Sequence, residues 1–136
     1  MKIILAAVAC LALLLPLPSF AQDKPLPVSE ILKKTDVSQH TSAEIKEYGR
    51  QVKGKQAAGR GQVVDVLEGR REGYRVTIML DGTKNAKGYN VVLYTGQNAS
   101  AELKKNDRVK FSGEVGRIST FRGTSVDIHG TYEKTK

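Results

Sequence analysis

The sequence predicts a mainly β domain, a small five-stranded Greek-key barrel that follows an export signal and a short helical segment. Five short runs rich in β-branched and aromatic residues lie after Lys55, and clusters of turn residues separate them. Glycines interrupt several of these runs, which is typical of strands that bend or bulge. The chain has 136 residues, so it is long enough for one compact domain after the signal is removed.

The first 21 residues have the three-part layout of a secretory signal peptide. Lys2 is followed by an apolar run from Ile3 to Leu15, then by two prolines and the small-x-small triplet at 19–21. We expect cleavage after Ala21 and a periplasmic or secreted product with no stable membrane span. An uncleaved anchor and a lipid-modified Cys10 are the alternatives, although the apolar run is short for a hydrocarbon layer of about 30 Å.

The composition excludes several kinds of chemistry. Cys10 is the single cysteine, so the exported chain cannot use a disulfide, a zinc–thiolate site or a thiol nucleophile. The sequence contains no nucleophile elbow, no glycine-rich phosphate loop and no paired-carboxylate arrangement. We therefore predict that the protein is not an enzyme and needs no metal or cofactor. A metal-dependent hydrolase is the less favoured alternative.

The positive charge is concentrated in the β region. The formal net charge is +8. Residues 22–52 hold five basic and five acidic side chains, whereas residues 53–136 hold sixteen basic and nine acidic side chains. A basic exported domain favours anionic partners such as nucleic acid, acidic glycan or lipid headgroups. A solvated surface with a positive excess is the alternative.

Residues 22–52 are predicted to form a flexible lead-in, Gln22 to Pro27, and then a helical prefix. Ser29 is the predicted cap of a short helical turn. Thr41 and Glu44 form the pattern of a capping box before a second helix. The apolar stripe of that helix is narrow, which is typical of a helix that lies against a larger body. The residues of the stripe are Ile45, Tyr48 and Val52.

Residues 53–136 are predicted to form the barrel, with a short helix between the third and fourth strands. Asn98 or Ser100 is the expected cap of that helix. This element order, in strands that curl at glycines such as Gly59 and Gly61, is typical of the OB-fold, a partly open Greek-key barrel. An unrelated β-sandwich or an SH3-like barrel is the alternative. The predicted strands are Gln56–Leu67, Tyr74–Leu80, Tyr89–Tyr94, Arg108–Ile118 and Thr124–Tyr132.

Three segments carry a resemblance to known proteins. They are Gly61–Val66 in the first strand, Leu103–Val115 from the helix into the fourth strand, and Ser125–Ile128 in the fifth. With the leader peptide, the chain resembles exported bacterial OB-fold proteins, notably the tRNA-anticodon-binding-like family and the periplasmic BOF proteins. The resemblance covers residues 53–133. It implies a barrel with a binding face, and it implies no catalytic residue.

The predicted binding surface is the outer face of the second and third strands, with the loops beside it. Guanidinium groups there can pair with phosphate or carboxylate oxygens, and aromatic rings can stack on a base or a sugar. We predict a binding protein that recognises an anionic oligomer, either nucleic acid or acidic glycan. An envelope stress or assembly protein that acts through protein contacts is the alternative. The candidate ligand-binding residues are Arg70, Arg71, Arg75, Thr77, Asn90, Tyr94, Phe121 and Arg122.

Asp127 and His129 lie two residues apart on the fifth strand, so both are expected on one outer face. Such a pair could begin a metal site. However, His40 lies in the prefix, and Asp65 and Asp81 are expected on scattered strands and loops. The sequence therefore predicts no metal site.

Overall fold

The structure, a computed structural model, describes residues 24–69 and 73–135. The predicted signal peptide lies outside the described residues, as do Arg70 and Arg71 of the predicted binding surface. Within the described ranges, no helix is both long enough and apolar enough to cross a bilayer.

Six strands and three helices make up the described chain. The five predicted strands and the helix between the third and fourth of them are confirmed, and a two-residue strand precedes them. In chain order the elements are β1 (Leu26–Pro27), α1 (Val28–Lys34), α2 (Ser42–Val52), β2 (Gln56–Glu68), β3 (Tyr74–Leu80), β4 (Val91–Thr95), α3 (Ala99–Glu102), β5 (Arg108–Ser119) and β6 (Ser125–Thr135).

The five long strands close into a barrel. Their order around it is β2-β3-β4-β6-β5, and β2 pairs with β5 to complete the circle. The β4–β6 pair is parallel, and the other pairs around the barrel are antiparallel. A five-stranded Greek-key barrel with a short helix between its third and fourth strands is an OB-fold, so the predicted fold class is confirmed.

Close backbone approach at glycines allows the strands to curl. A Cβ atom at Gly61 would run into the carbonyl oxygen of Met79 on β3, and one at Gly130 would run into the carbonyl oxygen of Ser112 on β5. Gly113 is the cross-strand partner of Gly130. The sharp curvature of β2 and of the β5–β6 pair therefore requires residues without side chains at these points.

One hydrophobic core fills the barrel. Val76, Leu93, Ile128 and Val115 form a continuous cross-strand row on β3, β4, β6 and β5, and all four are buried. Because side chains alternate along a strand, the residues next to this row face outward. The interior row thus fixes which side chains form the outer face.

The helical prefix packs on the same core. The capping box is confirmed: the Glu44 amide donates to Thr41 Oγ1 over 3.1 Å, and the Thr41 amide donates to Glu44 Oε1 over 2.8 Å. The cap predicted at Ser29 is wrong, because α1 begins at Val28 with Pro27 in the cap position and no side-chain cap bond. Burial of Val28 in the core, rather than a cap, fixes where α1 begins.

The last two residues of the predicted flexible lead-in form the short strand β1. Leu26 and Pro27 pair in parallel with Ala57 and Ala58 of β2. Proline is tolerated at such an edge position because its missing N–H is not needed by a neighbouring strand.

Candidate binding groove

Strand register brings two rows of outward side chains together on one face of the barrel. Asp65, Thr77, Val92 and Asp127 are successive cross-strand neighbours on β2, β3, β4 and β6. In the same way, a parallel row consists of Leu67, Arg75, Tyr94 and His129. Neighbouring strands lie about 4.8 Å apart, so side chains from four strands form one continuous surface.

All of these side chains except His129 line a groove of about 530 Å³, which we call the strand-face groove. The loop between β3 and β4 and the bulged part of β5 form its walls. It combines three cationic side chains, two carboxylates and two tyrosines. These residues are Arg75, Lys87, Arg117, Asp65, Asp127, Tyr89 and Tyr94.

The groove cations make no ion pair within the described residues, where the salt bridges join Arg50 to Glu47, Arg108 to Asp81 and Lys134 to Asp107. Arg75 Nε is buried, and it has no hydrogen-bond partner in the described part of the chain. A buried donor without a partner costs about 1–3 kcal/mol.

Lys87 reaches the groove from the β3–β4 loop. Its Nζ donates to Ser125 Oγ over 2.9 Å and to Ser119 Oγ over 3.3 Å. Burial lowers the pKa of Lys87, and the nearby Asp127 opposes that change. The two serines hold the ammonium at the wall of the groove, beside the β5–β6 hairpin.

Asp65, Asp81 and Asp127 lie on different strands and loops, as predicted, but two of them face the same groove. Asp65 and Asp127 line the same groove, whereas Asp81 pairs with Arg108 over 2.8 Å elsewhere. Burial raises the pKa of Asp127, and four nearby basic side chains partly offset this effect. Those groups are His129, Arg117, Lys87 and Arg75. Across the described ranges, no three His, Cys, Asp or Glu side chains are grouped closely enough to hold a metal ion.

Tyr94 and His129 form a ring platform at one side of the groove. Their ring centroids are 4.9 Å apart, and the ring planes differ by 14°. His129 lies over Gly116, where a Cβ atom would be only 2.9 Å from His129 Nε2. The stacked pair therefore depends on a glycine in the neighbouring strand.

Three of the predicted site residues, Arg75, Thr77 and Tyr94, meet in the groove. Thr77 is only 7% exposed, so it contributes mainly to the floor. Asn90 lies away from the groove as a buried structural residue. Its Oδ1 accepts from the Leu80 amide over 2.8 Å and its Nδ2 donates to Thr83 Oγ1 over 2.6 Å, which holds the β3–β4 loop.

Phe121 and Arg122 lie at the tip of the β5–β6 hairpin and are not among the residues that line the groove. Phe121 is 72% exposed, and the Arg122 guanidinium lies 5.4 Å from the centre of its ring. This cation–π pair forms a separate exposed feature. The structure thus divides the predicted surface between the groove and the hairpin tip.

Five of the seven charged and tyrosine residues of the groove were not among the predicted binding residues. They are Asp65, Lys87, Tyr89, Arg117 and Asp127. Lys87 lies in a loop, where no alternation indicates direction. Tyr89 was predicted to begin the third strand, but that strand begins at Val91. Arg117 lies in a β-bulge, where Gly116 and Arg117 together oppose Asp127 because the register shifts between Val115 and Ile118. The glycine beside a basic residue in β5 was the one available signal.

Neither a protein-family model nor a curated protein matches the sequence. One solved structure of similar fold is Schizosaccharomyces pombe Pot1pC bound to ssDNA (CGGTTACGGT). The similarity covers 62% of this chain and 81% of that chain, with 11% sequence identity and a TM-score of 0.41. At this level it carries no information about the ligand of this chain, and the fold assignment rests on strand order and pairing.

Proposed function

We propose that this chain is an exported, non-enzymatic OB-fold protein that binds an anionic oligomer in the strand-face groove. Single-stranded nucleic acid is the ligand that the groove fits best. The observation that carries the proposal is the convergence of Arg75, Lys87 and Arg117, which lack ion pairs within the described residues, beside a stacked pair of rings.

The chemistry of single-stranded nucleic acid matches these groups. Arginine forks bind phosphate oxygens with two parallel hydrogen bonds, and such charge-assisted bonds are stronger than neutral ones. Unpaired bases stack on aromatic side chains, and each stack contributes about 1–3 kcal/mol. Arg75 and Tyr94 are cross-strand neighbours, so a phosphate and the adjoining base could be held side by side.

An acidic oligosaccharide is the second candidate, and the two carboxylates favour it. Asp65 and Asp127 line the groove, where they would repel phosphates but accept hydrogen bonds from sugar hydroxyls. The same arginines would pair with uronate carboxylates. Direct measurements of the binding of each ligand distinguish the two candidates.

The test compares fluorescence anisotropy titrations of a labelled single-stranded oligonucleotide with those of a labelled acidic oligosaccharide. We expect Arg75→Ala and Arg117→Ala each to weaken oligonucleotide binding about tenfold. Each is also expected to reduce the salt slope by about 0.7. Lys105→Ala is the matched control, because this exposed lysine lies on the loop before β5, away from the groove.

Two results would contradict the proposal. If the Arg75→Ala, Arg117→Ala and Lys105→Ala proteins bind with equal affinity, the groove does not take part in binding. Tight, groove-dependent binding of the acidic oligosaccharide alone would assign the site to glycan. Circular dichroism spectra of all variants establish that each remains folded.

The proposed export rests on the pattern of residues 1–21 and needs its own test. We expect the full-length chain, expressed in a bacterium, to accumulate in the periplasm or medium with Gln22 as its first residue. N-terminal sequencing and mass spectrometry measure this directly. A full-length, cytosolic product would contradict export without affecting the groove.

A further inference from the structure

We infer that the binding surface extends beyond the strand-face groove, across Arg117, into a second basic cleft against α2. The helical prefix would then form part of the nucleic-acid interface rather than only a packing element. This inference rests on the proposed function, and it adds a second segment to the site and a minimum length to the ligand.

The second cleft, which we call the helix cleft, has a volume of about 490 Å³ and lies between α2 and the bulged end of β5. Four of its lining residues are cations, and none of its lining residues is a carboxylate. The cations are Lys46, Arg50, Lys53 and Arg117. Packing of a helix on a barrel does not require such a concentration of one charge, whereas binding of a polyanion does.

Arg117 joins the two surfaces. It lines both the strand-face groove and the helix cleft. Gly116, its neighbour in the same bulge, lines the helix cleft and lies beneath His129 of the ring platform. The two surfaces therefore meet at the bulge, next to the ring platform.

The helix cleft also offers surface for bases. Ile45 and Ile118 line its inner side, and Val37 at its edge is 62% exposed. Apolar side chains between cations suit a nucleic-acid strand, because its backbone is charged and its bases are partly apolar. The cleft thus repeats the combination of charge and apolar contact that the groove provides with its tyrosines.

Besides the two carboxylates of the strand-face groove, two further carboxylates near the helix cleft must be considered. Glu47 pairs with Arg50 over 3.0 Å, but both side chains are more than half exposed, so the pair is weak. Glu114 is the cross-strand partner of His129 on β5 and is exposed. Neither lines the helix cleft, so Lys46, Lys53 and Arg117 determine its potential.

The test is the length dependence of binding. Oligothymidylates of about 4 and about 16 nucleotides bracket the site sizes that OB-folds cover. We expect the longer strand to bind more tightly to the unmodified protein. The double variant Lys46→Ala with Lys53→Ala should weaken binding of the longer strand about tenfold. It should also reduce the salt slope for that strand by about 1.4, with little change for the shorter strand.

The matched control is Lys33→Ala with Lys34→Ala. These two lysines are also exposed in the helical prefix, but they lie on α1 and do not line the cleft. Because both double variants remove the same charge, a general electrostatic effect would weaken binding equally in the two proteins.

The outcomes separate the inference from the proposed function. If both oligothymidylates bind with equal affinity, or if the two double variants behave alike, the inference fails. The proposed role of the strand-face groove is then unaffected. If neither strand binds the unmodified protein, the proposed function and the inference both fail. If length dependence appears only with acidic oligosaccharides, the extended surface belongs to a glycan and the nucleic-acid assignment is overturned.

Discussion

Gly116 determines whether the ring platform forms. A Cβ atom here would be 2.9 Å from His129 Nε2 and 3.5 Å from Asp127 Cβ. The imidazole is exposed and can rotate away, so the clash is relieved by a side chain rather than by the backbone. We expect Gly116→Ala to displace His129 from Tyr94 with little loss of stability, and to weaken oligonucleotide binding by about 1 kcal/mol, or about fivefold.

Anisotropy titrations together with NMR spectra of the His129 and Tyr94 ring protons measure these two effects. Gly96→Ala is the control, because no atom lies within 4 Å of a Cβ atom at that position. Gly116→Ala protein that binds as tightly as Gly96→Ala protein, with its rings unstacked, would show that the platform does not contact the ligand.

The carboxyl group of Asp127 makes stability depend on pH in an unusual direction. Because burial raises its pKa above the ordinary 3.8, the folded state binds this proton more tightly than the unfolded chain does. Its contribution to stability is therefore lost as pH rises from the ordinary pKa through the raised one. We expect Asp127→Asn to stabilise the protein at neutral pH and to have little effect at about pH 3.

Urea unfolding of both proteins at the two pH values measures this difference. The comparison of Asp127→Asn with the unmodified protein is needed because other carboxyl groups also titrate in this range. The pKa values of Asp36, Glu44 and Asp107 are lowered, mainly by hydrogen bonds from backbone amides. Their contributions have the opposite sign and are lost as pH falls. An effect of Asp127→Asn that is equal at both pH values would exclude titration of this carboxyl group as its cause.

At the scale of the element, the capping box connects helix stability to the proposed interface. α2 carries Lys46 and is followed directly by Lys53, and its first turn is fixed by the reciprocal bonds of Thr41 and Glu44. We expect Thr41→Ala to reduce the free energy of unfolding by about 1 kcal/mol. It should also weaken binding of the longer oligonucleotide more than that of the shorter one.

Chemical unfolding and the two titrations measure these effects, with Gln51→Ala as control. Gln51 is an exposed residue of the same helix that neither takes part in the capping box nor lines the helix cleft. Similar losses in the two variants would mean that the loss from Thr41→Ala does not arise from the cap.

The elements that the sequence predicted well are those whose signals are local. Alternation located β3 at Tyr74–Leu80, and the capping box located α2. The position of Arg117 depended on a bulge, which is defined by pairing with β6 and has no single-sequence pattern. In the same way, burial against the barrel, not a cap, fixed the start of α1, and only the folded core reveals that burial.

At the scale of the whole molecule, prefix and barrel share one core. Val28 and Ile31 of α1 are fully buried in the same cluster as Ile128 of β6. Thr124, just before β6, donates from its Oγ1 to the backbone oxygen of Thr35 over 2.9 Å. The prefix and the barrel should therefore unfold together, and the two basic surfaces that meet at Arg117 should keep a fixed geometry.

Cooperative unfolding gives the last prediction. We expect Ile31→Ala to destabilise the whole protein by about 2–5 kcal/mol, because it leaves a cavity in the shared core. The far-UV signal of the secondary structure and the near-UV signal of the tyrosines should shift together in urea. Val37→Ala removes a side chain that is 62% exposed, so its effect should stay within about 0.5 kcal/mol. If Ile31→Ala melted the prefix in a separate transition and left the barrel midpoint unchanged, the prefix would be an independent unit. The continuous interface across Arg117 would then lack its rigid support.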